Sequence, residues 1–333
     1  MSKQANNQII RANLLGHPAV NAWNHLLPRR VVPEWIEILH EKEKSSVYRL
    51  AGVGLRGADV IAKCCLATTA LVERTIYEDV IPRLPITALH YYGFVTENDQ
   101  FGWLFLEDAG RERFSPLREE HRTLAAHWLG CVHTAAARVA PAAQLPDRGP
   151  KHYLTHLRTA RRTILSNLAN PALSPGDRGL LETIVSQCDV LEGRWSQVEQ
   201  CCAGMPPTLV HGDLRPRNVH VRAGPARTDL FALDWETAGW GVPAADLAPS
   251  RDLPPAYQVN IAAYWPIARE CWPGVDIQAI GQIVHIGRIF RRLAAINWAS
   301  MSLAYEWLEK PIKNMQIYQA ELAEAIQAVA WTR

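Results

Sequence analysis

Between Trp35 and Lys63 the apolar residues fall in short alternating or continuous runs. These are Trp35-Ile36-Glu37-Ile38-Leu39, Ser46-Val47-Tyr48-Arg49-Leu50 and Val60-Ile61-Ala62-Lys63-Cys64-Cys65, the last after a turn at Gly57-Ala58-Asp59. Three strands in succession with short connections predict an antiparallel sheet. The period then changes. Leu71, Val72, Thr75, Ile76 and Val80 approach helical spacing, so Thr69 to Leu84 predicts a helix closed by Pro82 and Pro85. Tyr91 to Val95 and Gly102 to Leu106 return to the strand pattern. From Asp108 onward helical stripes dominate, over 118–137, 153–168, 178–201 and 277–308, with prolines between them at Pro141, Pro146, Pro150, Pro171, Pro175 and Pro206-Pro207. Two short apolar strands, Thr208-Leu209-Val210 and Leu230-Phe231-Ala232-Leu233, interrupt this helical region, and both end on acidic loops. The pattern predicts an α+β chain of two lobes. Residues 31–107 form a small antiparallel sheet with one helix, and 108–333 a larger, mostly helical lobe.

Residues 1–30 carry Lys3, Arg11, Arg29 and Arg30 and no acid. They lack a continuous apolar stretch, and Pro18 and Pro28 interrupt any amphipathic helix, so a basic arm packed on the body is expected rather than a targeting segment. A length of 333 residues suits two domains, and 48% apolar with 20% charged residues excludes disordered and fibrous classes. Lys and Arg number 35 against 33 Asp and Glu, a formal charge of +2 that predicts no strong draw to nucleic acid or anionic membrane. The basic helix with Lys151, Arg158, Arg161 and Arg162 has no aromatic stacking motif beside it and reads as a solvated face. Seven cysteines, with adjacent pairs at 64–65 and 201–202, fit reduced thiols and a cytoplasmic location. No stretch reaches the roughly 20 apolar residues that cross a bilayer. Ile277 to Leu303 comes nearest and is interrupted by Arg288, Arg291 and Arg292. Twelve histidines show no HExxH spacing, so no transition metal is expected.

The chemistry concentrates on the two acidic strand ends. His211-Gly212-Asp213-Leu214-Arg215-Pro216-Arg217-Asn218 follows one strand, and Asp234-Trp235-Glu236 the other. Phosphoryl transfer needs such a set: a carboxylate to orient the attacking hydroxyl, with an Asn and an Asp to hold Mg²⁺ against phosphates. Hard oxygen donors suit Mg²⁺. Lys63 ends an apolar strand, where an ammonium is costly unless it meets an anion. Glu73, ten residues on in the predicted helix, is the best partner, and Glu78 is the runner-up.

These motifs, in this order, resemble the aminoglycoside phosphotransferase and choline kinase-like branch of the protein-kinase-like fold. Gly212 stands where protein kinases have the Arg of their HRD loop, and Asp234-Trp235-Glu236 where they have DFG. Leu129-Gly130-Cys131-Val132-His133, the stretch Gly239 to Ala248, and Glu73-Arg74-Thr75-Ile76-Tyr77 with Leu84-Pro85 add to the likeness, which spans roughly 35–250. The resemblance implies a Mg²⁺-dependent kinase moving the γ-phosphoryl of ATP or GTP to a hydroxyl of a small molecule. It implies Asp213 as catalytic base, Asn218 and Asp234 as Mg²⁺ ligands, and Lys63 on the α/β-phosphates with Glu73 orienting it. The backbone of Phe105, Leu106 and Glu107 would meet the adenine, Asp246 would be a structural acid beneath the catalytic loop, and His211 would buttress that loop. Glu236 would support the metal or hydrogen-bond the loop. A monomer or homodimer is expected.

One departure stands out. The hairpin His40 to Ser46 has no glycine where backbone amides should approach phosphates, so Ser45 and Ser46 are expected to supply amide and hydroxyl donors, with Glu41 and Glu43 close by. The rival class is a non-catalytic nucleotide-binding protein that kept the fold. Among enzymes, aminoglycoside and choline-type kinases stay open. From residue 251 onward seven acids, among them Asp252, face eight bases, among them Arg251 and Arg333. A polycationic acceptor would call for an acidic surplus. A neutral, singly charged or anionic alcohol is therefore expected, with Trp265, Trp272, Trp298 and Trp307 as candidate walls.

Overall fold

The computed structural model describes residues 8–139, 145–224, 227–248 and 259–331. Lys3, Pro141, Arg251, Asp252 and Arg333 of the sequence reading lie outside the described residues. In chain order the strands are β1 (Ile9–Ile10), β2 (Ile36–Lys42), β3 (Ser45–Leu50), β4 (Val60–Leu66), β5 (Tyr91–Thr96) and β6 (Phe101–Glu107). Then come β7 (Asp147–Arg148), β8 (Thr208–Val210), β9 (Val219–Ala223), β10 (Thr228–Ala232) and β11 (Gly239–Gly241). The helices are α1 (Pro18–His25), α2 (Ala67–Thr75), α3 (Glu119–Ala136), α4 (Pro150–Asn167) and α5 (Pro175–Gly193). They continue with α6 (Trp195–Ala203), α7 (Ala244–Leu247), α8 (Ile261–Cys271), α9 (Ile277–Ser300) and α10 (Glu309–Ala328).

The chain packs as two compact units. One is Met1–Phe114, Ala142–Leu145 and Pro216–Thr237; the other is Ser115–Pro141, Pro146–Arg215 and Ala238–Arg333. Where the sequence suggests a boundary after Glu107 and an arm over 1–30, the first unit runs on to Phe114. The hairpin β9–β10 joins the first unit because its strand is tied to the residues after β6. Phe114 N donates to Val219 O at 3.0 Å and Val221 N to Glu112 O at 3.0 Å. The Arg222 guanidinium reaches Glu107 at 2.7 Å and the Asp108 carbonyl at 2.6 Å.

In the first unit the sheet order is β1-β2-β3-β4-β6-β5, all antiparallel. The residues expected to form an arm packed on the body add β1 to the edge and lay α1 over one face. Trp23 of α1 is buried with Ile36, Tyr48, Leu50, Val60, Ala62, Trp103 and Phe105, an alternation that hands the opposite face of β4 and β6 to α2. Arg49 is buried between Glu37 and Asp108, which it meets at 2.6 Å, and so ties β2 and β3 to the end of β6. The helix expected over 69–84 begins at Ala67 as α2 and continues as a π turn over Ile76–Val80 and a 3₁₀ turn over Ile81–Arg83.

The second unit is helical around α9, against which α4, α7 and α10 pack. A small sheet, β7-β11-β8, sits within it. The single helix expected over 178–201 is two, since Arg194 leaves helical geometry (φ −107°, ψ 11°) between α5 and α6. The N-terminus of α5 carries a capping box between Ser174 and Asp177, and Asp276 caps α9 by accepting from Ala279 N at 2.7 Å. Helix α9 approaches α7 backbone to backbone: a Cβ on Gly287 would fall inside the Ala244 carbonyl. Gly287→Ala is accordingly expected to cost about 1–3 kcal/mol or more, the penalty of an overpacked core. Thermal melts check this, and an unchanged melting temperature would contradict the close approach. Among the described residues no helix is long and apolar enough to cross a membrane.

Candidate active site

Alternation along β4 buries Val60 and Ala62 under α1 and turns Lys63 toward α2. The Lys63 ammonium donates to Glu73 and, at 2.5 Å, to Asp234 Oδ1. The Lys63 side chain is only 12% exposed and that of Glu73 1%. Burial alone would lower the Lys63 pKa; Glu73 and Asp234 overcome it and raise it above the ordinary lysine value. Burial pushes the Glu73 carboxyl up while Lys63 pulls it down. Glu78, the other candidate partner, is taken by Arg74 at 2.8 Å and by the Tyr91 hydroxyl at 2.9 Å.

Asn218 and Asp234 are brought to one end of the β9–β10 hairpin by its register. Ala232 pairs with Val219, and Leu233 N donates to Asn218 O at 2.8 Å. Asp234 adopts φ 65°, a left-handed backbone that Asp tolerates better than most residues and that recurs at functional sites. Both residues offer oxygen, and the Asp234 side chain is 32% exposed. Such a pair fits Mg²⁺, which takes one or two protein carboxylates and completes its shell with waters and phosphate oxygens. Among the described residues no group of three or more His, Cys, Asp and Glu could hold a metal ion. Glu236 is exposed on the 3₁₀ turn that follows Asp234.

Two groups of residues expected to meet the nucleotide lie in strands of the same unit. Ser45 and Ser46 lie within β3, paired with Lys42 and Glu41 on one side and with Cys65 and Cys64 on the other. Their backbone is committed to the sheet, so only the hydroxyls remain as donors. The hairpin tip is Glu43-Lys44, which turns without a left-handed residue and so does not demand glycine. Glu41 accepts from the Tyr48 hydroxyl at 2.8 Å. Likewise Phe105 and Leu106 lie between β4 and β5, and Glu107 N donates to His90 O at 2.8 Å.

Asp213 belongs to the second unit, and the boundary runs inside the motif between Arg215 and Pro216. Strand β8 pairs with β11 and delivers His211 to a turn in which Gly212 has φ 78°, a conformation that glycine adopts without strain. That turn is held from beneath. Asp246 accepts from His211 N at 2.7 Å and from Gly212 N at 2.8 Å, and meets His133 Nε2 at 3.4 Å. His133 in turn meets the Tyr264 hydroxyl at 3.1 Å and gives its carbonyl to the Thr208 hydroxyl at 2.7 Å. Burial would push the Asp246 carboxyl up, but these donors hold it below the usual carboxylate range. Asp213 N donates to His211 Nδ1 at 3.3 Å. The Asp213 carboxylate, 14% exposed, pairs with Arg215 Nε and lies 3.7 Å from Arg291 Nη2.

The sequence reading did not single out His40 or Arg215. His40 on β2 is pushed below its ordinary value by burial and by Lys42, with Asp234 pulling it up, which places it in the field of the Lys63 cluster. Arg215 was legible only as part of its motif. Of the tryptophans offered as acceptor walls, Trp272 is core, and Trp265 lies beneath the Arg269 guanidinium and donates to Val275 O at 3.4 Å. Trp298 and Trp307 are exposed.

Solved structures with the same fold include several kinases. Choline kinase from Cryptosporidium parvum Iowa II aligns at a TM-score of 0.62 and 13% identity, covering 92% of this chain and 95% of that one. The GDP complex of wild-type aminoglycoside 2'-phosphotransferase-IIIa aligns at 0.63 and 13%, covering 94% and 99%. A microcompartment-associated aminopropanol kinase aligns at 0.58 and 12%, covering 88% and 91%. No curated protein sequence matches significantly. The family model of the phosphotransferase enzyme family, however, matches residues 73–276, well over half of the chain and including Glu73, Asp213, Asn218, Asp234 and Asp246. The chain belongs to the phosphotransferase enzyme family.

Proposed function

We propose that the chain is a Mg²⁺-dependent kinase that moves the γ-phosphoryl of ATP or GTP to a hydroxyl of a small molecule. The observation that carries this reading is the Lys63–Glu73–Asp234 cluster at the hairpin end that also bears Asn218. A buried ammonium balanced by one fully buried and one partly exposed carboxylate is built to meet phosphate oxygens and a hard cation. When bound, the Mg²⁺–nucleotide supplies the phosphoryl donor. Lys63, kept protonated, would hold phosphate oxygens, Glu73 would fix the ammonium, and Asn218 and Asp234 would hold the metal. Asp213 would orient the acceptor hydroxyl and take its proton. The test is thermal stabilisation by ATP and by GTP with and without Mg²⁺, followed by nucleotide consumption against a panel of alcohols, amino alcohols and antibiotics. Metal-dependent stabilisation followed by consumption supports the kinase. Stabilisation with no consumption across the panel would favour a nucleotide-binding protein without catalysis.

For the acceptor we favour a neutral, singly charged or anionic alcohol. The support is local: two guanidiniums, Arg215 and Arg291, lie on Asp213, and α9 carries no acid. A polycation would meet repulsion there rather than a carboxylate lining. Efficient phosphorylation of a kanamycin-like compound at low KM would overturn this preference, and turnover of a simple amino alcohol or an anionic alcohol in the same panel is the expected result.

A further inference from the structure

Helix α9 brings two residues, Gly287 and Arg291, to the turn that supports the catalytic loop. They are one helical turn apart and share a face. Because Gly287 has no side chain, α9 lies against the Ala244 carbonyl. Arg291 is thereby carried to the end of the same turn, where Nη1 donates to Ala245 O at 3.2 Å and reaches Ala248 O at 3.5 Å. Its Nη2 is left 3.7 Å from Asp213 Oδ1, with the side chain only 8% exposed. The residues 244–248 thus act on the loop twice: Asp246 holds the His211 and Gly212 amides, and the Ala245 and Ala248 carbonyls aim Arg291 at Asp213.

The two guanidiniums at Asp213 are not equivalent. Arg215 is about half exposed (48%), whereas Arg291 is walled in. We infer that Arg291 is a positioning residue for Asp213: a walled-in guanidinium, fixed by the Ala245 and Ala248 carbonyls, that holds the carboxylate in one orientation. This rests on the phosphotransfer reading above, in which Asp213 is the base.

The test uses the full chain as Arg291→Gln, Arg291→Lys, Asp213→Asn and the double variant Asp213→Asn/Arg291→Gln. The catalytic probe is phosphate release from Mg²⁺–ATP with water as acceptor. Arg291→Gln is expected to lower kcat roughly 10- to 100-fold, with KM for Mg²⁺–ATP within about threefold, the loss that a misplaced catalytic group produces. Arg291→Lys, which keeps the charge but not the fork, is expected to recover part of that loss and sit about three- to tenfold below wild type. A side chain that merely tied α9 to the turn would lower the folded fraction and leave kcat per folded molecule unchanged, which would overturn the inference. If the glutamine chain does not fold, the lysine chain decides: a drop in kcat at unchanged KM supports the inference, and wild-type kcat overturns it. Thermal melts of the four-variant cycle read the pairing without any activity. The melting temperature lost to Arg291→Gln should shrink by about 2 °C or more when Asp213 is already Asn, because contacting residues are not additive. Equal losses would overturn it. Wild-type phosphate release by Asp213→Asn would instead sink the kinase reading, and the melting cycle would still decide whether Arg291 and Asp213 are paired.

Discussion

Asp213→Ala is expected to remove roughly 10²–10⁴ of the turnover while leaving nucleotide binding within a few-fold, the usual worth of a positioned base. The reason for the split is structural. Asp213 sits on a turn held by Asp246 and Gly212, whereas Lys63, Glu73, Asn218 and Asp234 belong to the other compact unit. The Lys63 ammonium is held by Glu73 and Asp234, neither of which the substitution changes, so affinity for the Mg²⁺–nucleotide should survive. Single-turnover transfer and nucleotide titration on the same preparation check both halves. A variant with full turnover would remove Asp213 from the mechanism. One that lost nucleotide binding as well would show that the mutation disturbs more than the base.

Asp234→Asn should give the complementary result. It is expected to weaken Mg²⁺–nucleotide binding more than Asp213→Ala does, and to lower turnover as well. Two contacts change at once: a hard anionic ligand becomes a neutral one, and Lys63 loses one of the two carboxylates that keep it charged. The left-handed backbone at this position should be kept, since Asn tolerates it as readily as Asp, which separates the charge effect from backbone strain. Titration calorimetry at several Mg²⁺ concentrations decides the point. Equal metal dependence in the two variants would contradict the assignment of Asp234 to the metal.

Much of this was legible from the order of residues along the chain. The strands β2, β3, β4 and β6 follow from period-two apolar runs, and the pairing of Lys63 with Glu73 follows from a charge at a buried strand end that needs an anion. The motifs around Asp213 and Asp234 pointed to phosphoryl transfer because such oxygen donors at set spacings suit a hard cation and an attacking hydroxyl. Elements with weak local patterns were missed. The buried stripe of α10, Ile312, Met315, Tyr318, Leu322 and Ala325, is one residue wide and flanked by polar positions. The strand partners of Ser45, Ser46, Phe105 and Leu106 were not legible for a different reason: strand propensity does not say which backbone groups a neighbouring strand takes.

Residue order alone therefore pointed to the phosphotransferase class and picked out Lys63, Glu73, Asp213, Asn218, Asp234 and Asp246 together as candidates, because their spacing is covalent. Packing across long stretches of chain settled the rest. Nothing local placed β9 and β10 with the first unit; hydrogen bonds from residues about a hundred positions earlier did. The three arginines of α9 looked alike in the sequence, yet Arg292 pairs with Glu321 at 3.0 Å while Arg291 turns to carbonyls 46 and 43 residues away and to Asp213. A helix repeats every 3.6 residues whatever it meets, so its sequence offers several faces. Which face meets the catalytic loop is decided by the close approach of backbones at Gly287 and Ala244, a contact between segments that no local preference encodes.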